Sequence, residues 1–289
     1  MRLPNVQITD TILAKFTKLK PEEMRSGILV PVNSSANAFN SLEYALNLAK
    51  ILKSTIHLFY VIDVDVDELS ESTIVAHRIL ERTYRKAESC VESLKEMIEE
   101  SGVTVLTAES KIGNIELLIQ RQIEYIRPGM IVIGRDCFTA STINSLISQS
   151  TCPLISVPGS SPRQLPSSIL LTNEHNIFSE KSLNILIKII QSTTQELTIL
   201  KFIKFKKNRF EKVAVPHAGA DDVLVSLNYQ QIKKAPSANT VNDFVRANGV
   251  DLVCSIHQKQ SFFKRFLGRS FSADIVFSLN IPVMTMREF

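Results

Sequence analysis

The chain has 289 residues, of which 44% are hydrophobic, and a formal net charge of +4. This length is typical of two ordinary domains, each able to bury a core of its own. The weak and dispersed positive charge argues against a nucleic-acid partner.

The expected location follows from three absences in the sequence. No run of 18 or more apolar residues is present, so we expect no transmembrane helix and no membrane partner. Residues 1–24 lack the continuous apolar core and small-residue cleavage site of a secretory signal. The cysteines are Cys90, Cys137, Cys152 and Cys254. They lack paired metal-ligand spacing, so we expect reduced thiols and a cytoplasmic protein.

The first part of the chain alternates strands with helices after an N-terminal arm, residues 1–25. The arm has a short apolar face and is either an appended helix or a poorly ordered terminus. Predicted strands cover residues 28–32, 55–62, 103–108, 130–134 and 154–157, and predicted helices cover 38–52, 73–100, 114–126 and 141–150. Strands that are apolar on both faces and are each followed by a helix indicate a parallel, doubly wound sheet with right-handed crossovers.

The same order returns after a linker rich in Ser, Pro and Gly, residues 159–167. Predicted strands cover residues 169–171, 197–203, 223–227, 252–256 and 283–286, and predicted helices cover 180–191, 240–247 and 272–278. The segment 204–212 stands where the first repeat has its long helix, so the second helix of this repeat is reduced. We therefore expect one α/β domain over residues 26–158 and a second over 168–289.

Matching sequence strings support an internal duplication. GILVPVN (residues 27–33) and SSILLTN (residues 167–173) are both apolar runs that break at a polar turn, and they end in Asn33 and Asn173. CPLISVP and IPVMTM each place a proline before a strand-like run. A duplicated unit of this size predicts two similar domains packed as a pseudo-dimer. Because an unpaired apolar edge strand would aggregate, we expect residues 154–157 and 283–286 to pair in antiparallel fashion.

Several motifs in this order resemble the universal stress protein family: ILVPVNSSANAFNSLEYALNLAK, KIGNIELLIQ, GMIVIGRD and CPLISVP. The string SFFKRFLGRSFSADIVFSLNIPVM is similar to the degenerate second repeat of tandem members, especially those common in the Bacteroidetes. The resemblance covers residues 25–287. It implies two tandem five-stranded, doubly wound α/β domains of the HUP type that associate through their last strands. Many members of the family bind ATP or AMP, so the resemblance also raises the expectation of a nucleotide site.

The family's ATP binders usually carry an Asp after strand one and a G-x2-G-x9-G-[ST] loop after strand four. Backbone N–H groups of such a loop, together with a helix N-terminus, close on the phosphates. By this resemblance Asn33 stands in the place of the Asp, and Gly134 is the first loop glycine. Ala140 stands where the last glycine is expected, and Ser141 follows it in the place of the Ser or Thr. The loop between them is much too short, and Asp136 would oppose a phosphate.

The second repeat keeps a longer loop, residues 255–270, but lacks its first two glycines. It ends in Gly268, Arg269 and Ser270 and carries further cations at Lys259, Lys264 and Arg265. None of the nine glycines of the chain stands three residues from another, so the complete phosphate motif is absent. We therefore expect that ATP is not bound in the usual family manner.

From these patterns we expect a non-enzymatic, stress-related regulatory or scaffolding protein that acts through protein contacts. H-x-G-H, Walker and G-x-S-x-G motifs are absent, so no catalytic residue is predicted, and scattered histidines predict no metal site. No cofactor is expected, the protein partners are not identified by the sequence, and a homodimer of tandem chains is allowed. The run at residues 201–212 alternates cations with aromatics, as in single-strand binders, but is also typical of a lysine-protected edge.

Three alternatives stay open. One is an AMP- or ATP-binding stress sensor with an altered pocket, whose residues would be Asn33, Gly134, Arg135, Ser141 and Thr142 in the first repeat and Asn173, Arg269 and Ser270 in the second. Another is a binder of small anions or metabolites at the basic loop of the second repeat. The third concerns Cys137, which is either an ordinary loop thiol or, beside Arg135, a thiol of lowered pKa.

Overall fold

The computed structural model describes residues 27–35, 37–63, 73–161, 164–173, 180–194, 196–202, 226–232, 237–257 and 271–287. The described elements are, in chain order, β1 (Ile28–Val32), α1 (Ala38–Leu52), β2 (Ile56–Ile62), α2 (Thr73–Glu100), β3 (Val105–Ile112), α3 (Ile115–Ile126), β4 (Met130–Gly134), α4 (Ala140–Gln149), β5 (Leu154–Val157), β6 (Ile169–Asn173), α5 (Glu180–Ser192), β7 (Glu196–Phe202), β8 (Ser226–Ile232), α6 (Ala238–Asn248), β9 (Leu252–His257), α7 (Phe271–Ser278) and β10 (Val283–Arg287). Among the described helices, none is both long and apolar enough to cross a membrane.

These strands form one continuous sheet in the order β3-β2-β1-β4-β5-β10-β9-β6-β7-β8. Pairing is parallel within each half, as at β1–β2, β1–β4, β6–β7 and β6–β9. The halves meet where β5 pairs with β10 in antiparallel fashion, with Ile155 opposite Met284. The predicted tandem α/β architecture and its antiparallel seam are confirmed.

The core lies between this sheet and the helices. β1, β2 and β4 are buried along their whole length, which explains their uninterrupted apolar sequences. In α1 the apolar stripe of Leu42, Ala45, Leu46 and Ala49 is buried. Helix α1 also packs against α5 of the second half, so the seam is covered by helices as well as hydrogen-bonded between strands.

Both outer edge strands differ from their predicted bounds. β3 continues through Glu109, Ser110 and Lys111, which pair with β2, whereas the prediction ended at residue 108. β8 covers Ser226–Ile232, further along the chain than the predicted 223–227. An edge strand is hydrogen-bonded on one side only and tolerates polar side chains. Its ends are therefore placed wrongly when they are predicted from the limits of an apolar run.

Some predicted features lie outside the described residues. They are the N-terminal arm at residues 1–25, the segment between β7 and β8 where a reduced helix was expected, and the basic loop between β9 and α7. The last includes Lys259, Lys264, Arg265, Arg269 and Ser270.

Candidate functional site

The candidate site lies at the carboxyl ends of β1 and β4. β1 pairs with β2 on one side and with β4 on the other, so the strand order reverses between β1 and β4. Crevices for ligands form at such switch points in open α/β sheets. Asn33 follows β1 and Gly134 ends β4, so the fold brings together the two positions that the sequence singled out.

Asn33 is tied to the protein through both groups of its side-chain amide. Its Nδ2 donates a hydrogen bond to the carbonyl oxygen of Cys137 at 2.5 Å. Its Oδ1 accepts a hydrogen bond from the backbone N–H of Ser35 at 3.0 Å. The side chain that stands in the place of the family's Asp therefore binds the short loop after β4 to the end of β1.

The loop after β4 is a 3-10 turn, Arg135–Cys137, that fills the end of the strand pair with its own side chains. Cys137 and Phe138 are buried. A Cβ atom on Gly134 would lie 2.5 Å from Sγ of Cys137 and 3.2 Å from Oγ of Ser41. Gly134 is thus required because the Cys137 thiol packs directly against its backbone.

The Cys137 thiol is not activated. Burial raises its pKa to about 11, an effect that a hydrogen bond with Ser35 opposes and that nearby Asp136 reinforces. Of the two alternatives for Cys137, the structure therefore contradicts the thiol of lowered pKa, because the Arg135 side chain turns away from the thiol toward the second half of the molecule. Cys137 is therefore a neutral packing residue at neutral pH.

Arg135 connects the two halves. Its Nη1 donates hydrogen bonds to the carbonyl oxygen of Val276, at 3.0 Å, and to that of Leu279. Its Nε donates to Oδ1 of Asp136 at 3.2 Å, and only 12% of its side chain is exposed. These carbonyl groups lie at the C-terminal end of α7, where backbone acceptors lack helical donors. The cation that was a candidate phosphate ligand is engaged at a helix C-terminus.

Asp136 holds the start of the linker between the halves. Its Oδ2 accepts a hydrogen bond from the N–H of Gly159 at 2.8 Å. The Nδ2 of buried Asn40 donates to the carbonyl oxygen of Pro158 at 2.8 Å and to that of Ser161 at 3.3 Å. The short loop and α1 together fasten residues 158–161 to the first half.

The N-terminus of α4 is capped by its own sequence. The hydroxyl oxygen of Thr139 accepts a hydrogen bond from the N–H of Thr142 at 3.2 Å and lies 3.0 Å from the Thr142 hydroxyl. Thr142 is buried, whereas Ser141 is exposed. An N-cap of this kind occupies a backbone N–H group at the helix N-terminus that could otherwise donate to a phosphate.

In the second half the structure describes only part of the predicted site. Asn173 ends β6, and the neighbouring Thr172 donates a hydrogen bond to the carbonyl oxygen of Cys254 at 3.2 Å. Arg269 and Ser270 lie outside the described residues.

Sequence reasoning missed a pair of buried serines at the end of β9. Ser272 Oγ donates to the carbonyl oxygen of Ile256 at 3.2 Å and lies 3.0 Å from Ser255 Oγ. The only sequence signal was a serine on each side of the long loop. In the described part of the chain, no three His, Cys, Asp or Glu side chains cluster as metal ligands would.

Comparison with known proteins finds a family match for the first half. Residues 24–158 match the model of the Universal stress protein family. This match covers just under half of the chain and agrees with the motifs of this part that resemble the family. A search of curated proteins finds no match to the chain.

Solved structures extend the likeness to both halves. The fold is similar to that of a universal stress protein from Archaeoglobus fulgidus DSM 4304, with a TM-score of 0.67 and 16% identity over 91% of this chain and 98% of that one. It is also similar to a functionally unknown protein from Pseudomonas aeruginosa PAO1, with a TM-score of 0.58 and 10% identity over 91% of this chain and 93% of that one. These identities show a shared fold and carry no statement about ligands.

Proposed function

We propose that this protein is a non-enzymatic, stress-related scaffold or regulator in which the nucleotide loop of the first half has become a joint between the halves. The observation that carries the proposal is the placement of Arg135. Its guanidinium donates to backbone carbonyls of the second half and to Asp136 of its own turn. A side chain held in this way connects domains, since its Nε and Nη1 donors are occupied by protein acceptors and not by a phosphate.

The surroundings of Arg135 support the same function. A nucleotide entering at the ends of β1 and β4 would have to displace buried Cys137 and Phe138 and break the bond from Asn33 to Cys137. A micromolar ligand needs about 8 kcal/mol of net binding free energy. Breaking the part-buried bond from Asn33 would subtract about 0.5–1.5 kcal/mol from that binding.

Calorimetry of the full chain with ATP or AMP and magnesium tests the absence of a nucleotide. We expect no binding tighter than millimolar, and no nucleotide released on denaturation and detected by mass spectrometry. Micromolar binding that is lost in Ser141→Ala would contradict the proposal and favour the stress sensor. Micromolar binding that survives in Ser141→Ala but is lost in Arg269→Ala would instead place a nucleotide or anion site in the second half.

Hydrogen exchange tests the joint itself. Replacing Arg135 by Ala should accelerate exchange at the end of α7, around residues 276–280, because two carbonyls lose their donors. Arg135→Lys should restore little, since one ammonium cannot reproduce the planar fork. Arg121, which is exposed on α3, supplies a matched control as Arg121→Ala. Equal exchange in all variants would contradict the joint.

A further inference from the structure

The outward face of α2 has no role in the arrangement described so far. Helix α2 packs against β3 and β2, and its buried residues Ala87, Val91 and Ile98 mark the inward face. The opposite face carries charged side chains between positions 78 and 100 of this 28-residue helix. At 1.5 Å per residue this helix is about 42 Å long.

Charge on this helix is divided by sign. Between positions 78 and 86 there are four basic side chains and one acidic one, whereas between 88 and 100 there are five acidic and one basic. The division is opposite to the one that favours a single helix, because the N-terminal end of a helix carries partial positive charge and the C-terminal end partial negative charge. At Glu99 and Glu100, in the last turn, this arrangement is unfavourable for the helix itself, so the helix dipole does not explain the division of charge.

Spacing places the charges on one line. A basic stripe repeats every four residues and consists of Arg78, Arg82 and Lys86; an acidic stripe with the same repeat consists of Glu92, Glu96 and Glu100. Ser89 lies midway between the two stripes, and Ser89 and all six stripe residues are exposed. A shallow groove runs along the basic stripe and ends at Ser89. Residues three and four apart share a helix face, so both stripes point in one direction.

We propose that this face binds a second copy of the chain, with the two α2 helices antiparallel and crossing at Ser89. A two-fold axis at Ser89 places Arg78 opposite Glu100, Arg82 opposite Glu96 and Lys86 opposite Glu92, and it repeats each pair. Isologous dimers require a surface that complements itself in this way. Ser89 is small enough to let the helices approach to the usual 8–10 Å between axes.

The size of the surface sets the strength of the dimer. One helix face is smaller than the roughly 800 Å² per partner of a stable interface. Exposed ion pairs each contribute little and are screened by salt. A pair within the helix, Lys95 with Glu92 at 3.5 Å, competes for one charge of the acidic stripe. The dimer is therefore weak and dissociates as the salt concentration rises. It does not depend on whether the cleft at β1 and β4 binds a ligand.

Disulfide trapping tests the crossing point in the full chain. In a Cys90→Ser background, Ser89→Cys should give a covalent dimer under mild oxidation, because the two thiols face each other across the axis. Ser93→Cys is the matched control: it is exposed on the same face one turn away, but its two copies lie about 12 Å apart along the paired helices. We expect at least about tenfold more covalent dimer from position 89 than from position 93. At the crossing point the two Cα atoms of residue 89 lie near the separation that a disulfide requires. Equal trapping at both positions would mean random collision and overturn the proposal.

Charge exchange tests the partner. A triple reversal of the basic stripe, R78E/R82E/K86E, and one of the acidic stripe, E92K/E96K/E100K, should each remain monomeric in sedimentation velocity at about 0.01 M salt. An equimolar mixture should form a heterodimer tighter than the wild-type homodimer, and about 1 M salt should dissociate it. If the wild type is monomeric at low salt, the proposal fails. Binding of a polyanion by that monomer would assign the basic stripe to a different partner.

Discussion

The two halves share one strand order but differ where β4 and β9 end. In the first half residues 135–139 join β4 to α4, and the turn binds Asn33, the linker and the second half. In the second half residues 258–270 join β9 to α7, and the described end of β9 is closed by Ser255 and Ser272. Duplicating a fold therefore does not duplicate a site, because function depends on the loops at the sheet edge.

The linker shows the same asymmetry. At its start, Asp136 of the short turn accepts from Gly159. At its end, the carboxylate of Asp251 accepts from the N–H groups of Ser167 and Ser168, each at 2.8 Å, and from the Ser167 hydroxyl. The halves are thus fastened by two carboxylates at different places in the repeat, one after β4 and one before β9.

The strongest test of this comparison addresses the seam that both halves share. Ile155 is fully buried in β5 opposite Met284, so Ile155→Lys places an unpaired charge between the halves. We expect a loss of more than about 3 kcal/mol of unfolding free energy, or aggregation. Chemical denaturation and size-exclusion chromatography measure both.

Leu106→Lys is the control for that change. Leu106 is 51% exposed on β3, the outer edge of the same sheet, so an added lysine costs little there. A soluble, cooperative Ile155→Lys variant of unchanged stability would show that the two halves do not depend on the seam.

A smaller effect is expected in the turn that distinguishes the first half. Gly134→Ala puts a Cβ at 2.5 Å from the Cys137 sulfur, which buried surroundings prevent from moving freely. Overpacking of this kind costs about 1–3 kcal/mol. In a double-mutant cycle with Cys137→Ala, removal of the sulfur should recover part of the loss. Additive effects of the two changes would contradict the contact.

Much of the fold was available from the sequence, for a physical reason. Strands buried on both faces give unbroken apolar runs, and β4 and β5 have the predicted bounds. The two proline-introduced runs are mutual partners because an apolar edge must be covered. The outer strands β3 and β8 were misplaced because polar residues such as Glu109 and Lys111 belong to them.

The candidate site was predictable in position but not in chemistry. Strand order alone brings Asn33 next to Gly134. Nothing in the local sequence of Arg135 indicates that its acceptors are Val276 and Leu279, more than 140 residues away. For the same reason the environment of Cys137 could not be judged from its neighbour in sequence, since burial and not the adjacent cation determines its pKa.

Thiol labelling tests whether Cys137 is a packed, neutral thiol in the filled turn of the first half. With a pKa of about 11, Cys137 at pH 7.5 holds about 300-fold less thiolate than a free cysteine of pKa 8.5. We expect labelling by iodoacetamide to be slower by about that factor than labelling of the same residue in the denatured chain, as followed by peptide mass spectrometry. Fast labelling in the folded protein would instead support the alternative that Cys137 is a thiol of lowered pKa.

The smallest expected effect is an acid sensitivity that comes from His57 in the first half. His57 is buried on β2, its Nδ1 lies 2.9 Å from the Thr107 hydroxyl, and its ring packs against Gly27. Burial lowers the pKa of His57 below its ordinary value of 6.5, and Glu109 opposes this effect. The folded state therefore binds the proton more weakly than the unfolded state, so the stability associated with neutral His57 is complete above about pH 6.5 and decreases as the pH falls toward the folded pKa. His57→Gln should shift the whole stability curve through altered packing, but it should also flatten the curve below about pH 6.5. Denaturation midpoints measured across that range decide the point, since equal slopes for both proteins would mean that His57 does not couple protonation to folding.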